Sequence, residues 1–154
     1  MSRLLDLQNR FYDRIRSKAA YGAATASTTG RFGHLKGHKH GLIVTFKGNG
    51  DAVPTPVWFG LDDEGRLYFR TAPDVAKVRR IRNNPRVLVA PCTVRGKPLG
   101  PSVEGTAREL PKTEREHAEA AIQSNYGLGR RLYEGAADAM VDDVAYVEVV
   151  PSHE

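Results

Sequence analysis

The stretch 41–71 constrains the fold most, because its three strand-like runs are separated only by tight, glycine-containing turns. Leu42, Ile43, Val44 and Thr45 form a short run rich in β-branched side chains, and Lys47, Gly48, Asn49, Gly50 and Asp51 follow as a turn. The second run, residues 53–61, contains Pro54 and Pro56, which have no amide hydrogen. It must therefore be irregular there, or face an edge or a ligand. Asp62, Asp63, Glu64 and Gly65 turn the chain again into residues 67–71, where Leu67 and Phe69 alternate with Tyr68 and Arg70. Links this short join antiparallel neighbours, whereas parallel neighbours need a crossover of roughly a dozen residues or more. A doubly wound parallel sheet is thereby disfavoured.

The remaining chain extends the pattern. Thr71, Ala72, Pro73 and Asp74 provide a helix start, with Thr71 or Asp74 as the expected cap and proline near the first helical position. Val75, Val78 and Ile81 give that short helix an apolar stripe, and Asn83, Asn84 and Pro85 end it. Residues 87–91 read as a strand, 95–101 as a loop and 103–110 as extended chain through Gly105. Thr113 and Glu116 have capping-box spacing for a helix through Ile122, residues 128–140 suggest another helix, and 145–150 alternate into a last strand. At the other end, Leu4, Leu5, Phe11 and Ile15 lie close to helical spacing, and residues 19–33 read as an irregular connection.

The expected architecture is mainly β (α+β): a six-stranded antiparallel split barrel with an N-terminal helix and C-terminal helices. Residues 1–40 would form the helix and irregular extension and residues 41–154 the barrel, in a single domain overall.

Charge narrows the partners. A net charge of +5 in 154 residues favours an anionic partner: nucleic acid, a phosphorylated cofactor or an acidic membrane. Lys77, Arg79, Arg80, Arg82 and Arg86 crowd together, with Arg95 and Lys97 close behind. Neither GxGxxG nor GxxxxGK[ST] occurs, so the usual dinucleotide and nucleoside-triphosphate loops are absent; no GxSxG elbow supports hydrolase chemistry. No apolar run reaches membrane-spanning length and the start lacks a signal-peptide core, so a cytoplasmic location is expected. His34, His38 and His40 alternate with lysines whose charge opposes a metal, and no metal site is expected. The single cysteine, Cys92, reads as a small strand residue.

One constellation carries more chemistry. Thr71 closes a strand and opens a helix, where backbone amides and its hydroxyl could meet a phosphate at the positive helix end. Lys77 could fold back as a counter-charge, Arg70 lies beside the strand end, and Trp58 supplies an aromatic surface on the neighbouring strand. A planar ring with a phosphorylated tail suits this set. The plainer readings are that the basic side chains solvate an exposed helix and that Trp58 belongs to a core or a subunit interface.

Residues 53–59 (Val-Pro-Thr-Pro-Val-Trp-Phe) followed by 67–71 (Leu-Tyr-Phe-Arg-Thr) resemble the deazaflavin-dependent branch of the pyridoxamine 5'-phosphate oxidase-like split-barrel proteins. Residues 77–87, 91–101 and 103–107 continue the resemblance, which covers about 41–110 with a weaker tail through Val150. It implies a homodimer with coenzyme F420, or alternatively FMN, in each groove between subunits. Thr55, Pro56, Val57 and Trp58 would then support the ring, and Arg70, Thr71 and Lys77 would hold the phosphate. Val78, Arg79 and Arg80 would lie toward the glutamyl tail. The implied activity is hydride transfer between the deazaflavin and a small unsaturated or quinone-like substrate, with no nucleic-acid or membrane partner. No catalytic side chain is assigned. The alternatives are an FMN-dependent oxidoreductase of the same fold and a non-catalytic carrier of a cofactor or haem. Residues 1–40 depart from the family's compact pattern.

Overall fold

The computed structural model describes residues 27–28, 30–73, 75–125 and 144–152; the helices expected near 4–15 and 128–140 lie outside them. Its strands are β1 (Ser27–Thr28), β2 (His40–Phe46), β3 (Ala52–Leu61), β4 (Leu67–Thr71), β5 (Arg86–Cys92), β6 (Ser102–Glu109) and β7 (Ala145–Pro151). Two helices, α1 (Ala76–Asn83) and α2 (Arg115–Ser124), and two 3-10 turns complete the described elements.

Strands β6, β5, β2, β3, β4 and β7 lie side by side in antiparallel pairs, and β7 pairs back onto β6. The result is a closed six-stranded antiparallel barrel, which removes the exposed edges of an open sheet. The expected turns form. Gly50 and Gly65 take φ of +92° and +80°, conformations that side chains with a Cβ rarely adopt.

Side-chain alternation sorts the core into layers. Ile43, Val57, Phe59, Leu67 and Phe69 point into the barrel. Their neighbours Leu42 and Val44 join Leu88, Ala90 and Cys92 on the outer face of β2 and β5. Tyr68 and Tyr146 lie on the outer face of β4 and β7 and pack with Ala118, Ala121 and Ile122 of α2. Helix α1 sits against one end of the barrel, contributing Ile81 to the interior cluster and burying Val78.

Three expectations are corrected. Residues 19–33 contain an element after all: Ser27 and Thr28 pair in parallel with Ser102 and Val103. Helix α1 begins at Ala76 with Val75 as its N-cap and no side-chain cap, while Thr71 remains the last residue of β4. Backbone geometry explains the missing cap: the amides of Val78 and Arg79 both donate to the Val75 carbonyl, at 3.1 and 3.3 Å. Likewise Thr113 falls within a 3-10 turn, Lys112–Glu114, so no capping box forms and α2 starts at Arg115 without a side-chain cap. The Glu114 carboxylate is held elsewhere, by Arg108 at 2.9 Å.

Phe32 and Leu35 precede the first barrel strand, yet both are fully buried in the interior cluster. Leu35→Ala is accordingly expected to cost roughly 2–4 kcal/mol, as truncation of a core leucine does. A loss of less than about 1 kcal/mol in the free energy of urea unfolding would show this turn to be an appendage of the barrel.

Candidate functional site

The region is shaped by unequal strand lengths. Strand β3 pairs with β2 from Ala52 to Trp58, but with β4 only through Phe59, Gly60 and Leu61. Residues 52–56 therefore run past the end of β4, and the two prolines sit in this overhang, while Val57 and Trp58 lie level with Thr71 and Arg70 beyond the last paired residues. A proline is tolerated in a ladder only where its missing N–H would point away from the partner strand, so Pro54 and Pro56 suit this open side. Of the readings left by the sequence, the edge is the one observed, and β3 is regular through it.

Strand parity then divides the expected site residues. Trp58 is 47% exposed, in register with His40 of β2 on the outer face. Pro56 shares that face, opposite Leu42. Val57 points inward and is buried; Thr55, on the same parity, is half-buried. Thr71 ends β4 opposite Ala145.

Arg70 faces outward toward α2, where Glu119 binds it at 2.5 Å and Tyr146 donates its hydroxyl to the same carboxylate oxygen at 2.7 Å. Burial pushes the Tyr146 phenol up to about 12, assisted by the Glu119 bond and charge and opposed by Arg70. Lys77 sits on the other side of β4, its ammonium 5.8 Å from the centre of the Phe69 ring. Arg70 and Lys77 thus flank the end of β4 without converging on one point.

Val78 is wholly buried, so its side chain presents nothing to a ligand. Arg80 donates to the buried Thr45 hydroxyl at 2.6 Å, which pins α1 to β2. Arg79 is exposed and makes no ion pair with the described residues.

Two residues that the sequence reading did not place here complete the neighbourhood. His40 accepts the Trp58 indole hydrogen at 3.0 Å, and Glu119 holds Arg70. The strand register that joins His40 to Trp58 spans eighteen positions of chain, and the Arg70–Glu119 pair spans forty-nine, so no local spacing announces either. His34 bonds the Pro101 carbonyl at 3.0 Å and His40 bonds Trp58, so these two rings have different partners, while His38 uses its backbone carbonyl to accept from Asn125. Cys92 ends β5, where burial pushes its thiol up to about 12.

A cavity of about 640 Å³ opens at the other end of the barrel, against Arg31, Lys36, Leu61, Asp63 and Ser124, and none of the expected cofactor residues lines it. Among the described residues no helix is long and apolar enough to cross a membrane.

A sequence profile described as pyridoxamine 5'-phosphate oxidase matches residues 33–152. The chain belongs to this family. The family match starts within the Gly33–Leu35 turn and runs to the end of the last strand, so it takes in the complete barrel. Among curated proteins, none matches the chain by sequence.

Solved structures share the fold at low identity. One, from Bacteroides thetaiotaomicron and provisionally assigned to 5-nitroimidazole antibiotic resistance, is 16% identical, with a TM-score of 0.58 over 75% of this chain and 74% of that one. The haem storage protein HutZ from Vibrio cholerae is 13% identical, with a TM-score of 0.57 over 76% and 84%. An F420 reductase is 19% identical, with a TM-score of 0.52 over 81% of this chain and 96% of that one. These likenesses establish the split-barrel fold, a fold shared by an F420 reductase and a haem storage protein.

Proposed function

We propose that this family member is an F420-dependent oxidoreductase, transferring a hydride between the deazaflavin and a small unsaturated or quinone-like substrate. It acts as a homodimer, with a cofactor in each groove between subunits. The observation that carries this reading is the open side of β3, where the half-exposed Trp58 indole and, two positions before it, the partly exposed Pro56 lie beside the end of β4 and a basic helix. The Pro56 ring and the indole present flat apolar surface, and neither proline adds a competing backbone donor, which suits the face of a tricyclic ring.

The polar residues suit the rest of the coenzyme. Thr71 and Lys77, at the end of β4 and the start of α1, would hold the phosphate, and Arg79 would meet the glutamyl carboxylates. Arg70 would reach the phosphate only by exchanging Glu119 for it. Val57 and Val78, both buried, would serve as backing that fixes β3 and α1. When bound, the cofactor supplies the hydride chemistry; the chain binds and orients the reactants and keeps water from the reacting faces.

Titration of the purified protein with F420 and with FMN tests the assignment. Arg79→Ala is expected to weaken F420 about 3- to 5-fold, as loss of an exposed ion pair does, and to leave FMN, which has no glutamyl tail, within about 2-fold. Tight FMN binding with no F420 binding would reject the coenzyme. Reduced F420 that stays bound yet is oxidised by no quinone or enone acceptor would leave a carrier in place of an enzyme.

A further inference from the structure

The His40–Trp58 pair has a chemical consequence independent of any bound group. The Trp58 Nε1–H donates to His40 Nε2 at 3.0 Å, and the two rings meet edge to face, 6.3 Å between centres and 74° between planes. An indole nitrogen can only donate, so Nε2 must offer a lone pair, and the His40 ring is neutral with its proton on Nδ1. An imidazolium has no lone pair, and protonation would set two N–H groups against each other.

The surroundings favour the neutral ring. Burial lowers the His40 pKa below its ordinary 6.5. From β3 it faces Trp58, and from β5 it faces Cys92, whose thiol burial keeps protonated. Its neighbour Lys39 is positive and bonds to the Asn125 carbonyl at the end of α2. None of the described carboxylates is hydrogen-bonded to His40, so these elements supply no counter-charge to an imidazolium.

We propose that His40 is the positioning residue for the indole that walls the cofactor groove: neutral, it holds Trp58 in place; protonated, it releases it. The groove belongs to the reading above, whereas the hydrogen bond does not depend on it. Sign and window follow from the lowered pKa. The bond is intact at neutral pH and is lost as pH falls through a value below 6.5.

Trp58 is the only tryptophan in the chain, so its emission reports this bond without dissection. The full-length protein is expected to show a fluorescence transition with its midpoint below pH 6.5, without change in far-ultraviolet circular dichroism. His40→Gln, whose amide oxygen can accept from the indole but does not titrate, is expected to keep the neutral-pH emission and lose the transition; His34→Gln is expected to retain it. In the unsubstituted protein the single indole N–H proton resonance should move upfield over the same range, which makes the test independent of how the variant folds. An indole resonance that stays fixed from about pH 7.5 down to the onset of acid unfolding, or an identical transition in His40→Gln, would overturn the proposal.

F420 affinity separates this idea from the functional one. It should fall about 3-fold or more across the transition in the unsubstituted protein and stay level in His40→Gln. Release of the indole with unchanged F420 affinity, or with no F420 binding at all, would leave the His40 switch standing and remove the groove from beside Trp58.

Discussion

Gly60→Ala is expected to cost roughly 3–5 kcal/mol and to displace α2 from the barrel, because the new methyl group would occupy space already filled by backbone. A Cβ at this position would lie 1.9 Å from the Ala121 carbonyl oxygen and 2.6 Å from the Ile122 Cα. Neither atom belongs to a side chain that can rotate away. The whole helix must retreat, and with it the packing of Ala118, Ala121 and Ile122 on Tyr68 and Tyr146. The helix end would loosen too, since the Asn125 side chain bonds the Phe59 and His38 carbonyls, at 2.9 and 3.0 Å. Gly41→Ala is the matched control: its Cβ would meet only the Phe59 ring, at 3.2 Å, a contact that a small ring shift relieves. A urea midpoint for Gly60→Ala no lower than that for Gly41→Ala would show that α2 does not rest on this glycine.

Gly60 also marks what a single sequence conceals. Its strand is legible from hydrophobic alternation, but the helix pressed against it lies sixty positions away and leaves no local trace. The parts read correctly are governed by neighbouring residues: the Lys47–Asp51 turn, the alternation of Leu67 and Phe69 with Tyr68 and Arg70, and the strand read over 87–91, which the structure extends by one residue at each end. The misplaced parts are settled by partners distant in sequence. Ser27 and Thr28 become strand by pairing with Ser102 and Val103 of β6. The same logic applies to the candidate site. Sequence proximity brought Arg70, Thr71 and Lys77 into one group, yet strand parity turns Arg70 toward Glu119 and leaves Lys77 beside Phe69. The basic cluster around α1 likewise divides once partners are known, since Arg82 binds Glu109, Arg86 binds Glu104 and Arg80 bonds Thr45, while Arg79 stays exposed.

Asp62→Asn is the second large effect expected, and it should carry a pH signature. The Asp62 carboxylate caps the β3–β4 turn by accepting from the Glu64 and Arg66 amides at 3.0 and 2.9 Å. It also accepts from the Arg66 side chain at 2.9 Å, the Tyr68 hydroxyl at 3.1 Å and His117 at 3.0 Å. Burial alone would raise its pKa, but the bonds from His117, the Arg66 amide, Tyr68 and the Arg66 side chain prevail and hold it at about 2, against 3.8. A folded-state pKa below the unfolded one means that the unfolded chain takes up the proton more readily. The stabilisation is therefore complete above about pH 4 and is lost as pH falls from about 4 toward 2. It is worth at most about 2 kcal/mol, and less because His117 is exposed to solvent screening. Asparagine keeps one acceptor for the turn amides but turns an NH₂ group toward donors, so Asp62→Asn is expected to cost roughly 2–4 kcal/mol at pH 7. That gap should narrow by up to about 2 kcal/mol at pH 2.5, where the native carboxylate has itself begun to protonate. Equal gaps at both pH values would mean that shape alone, not the charge on Asp62, secures the turn on which β4 and α2 converge.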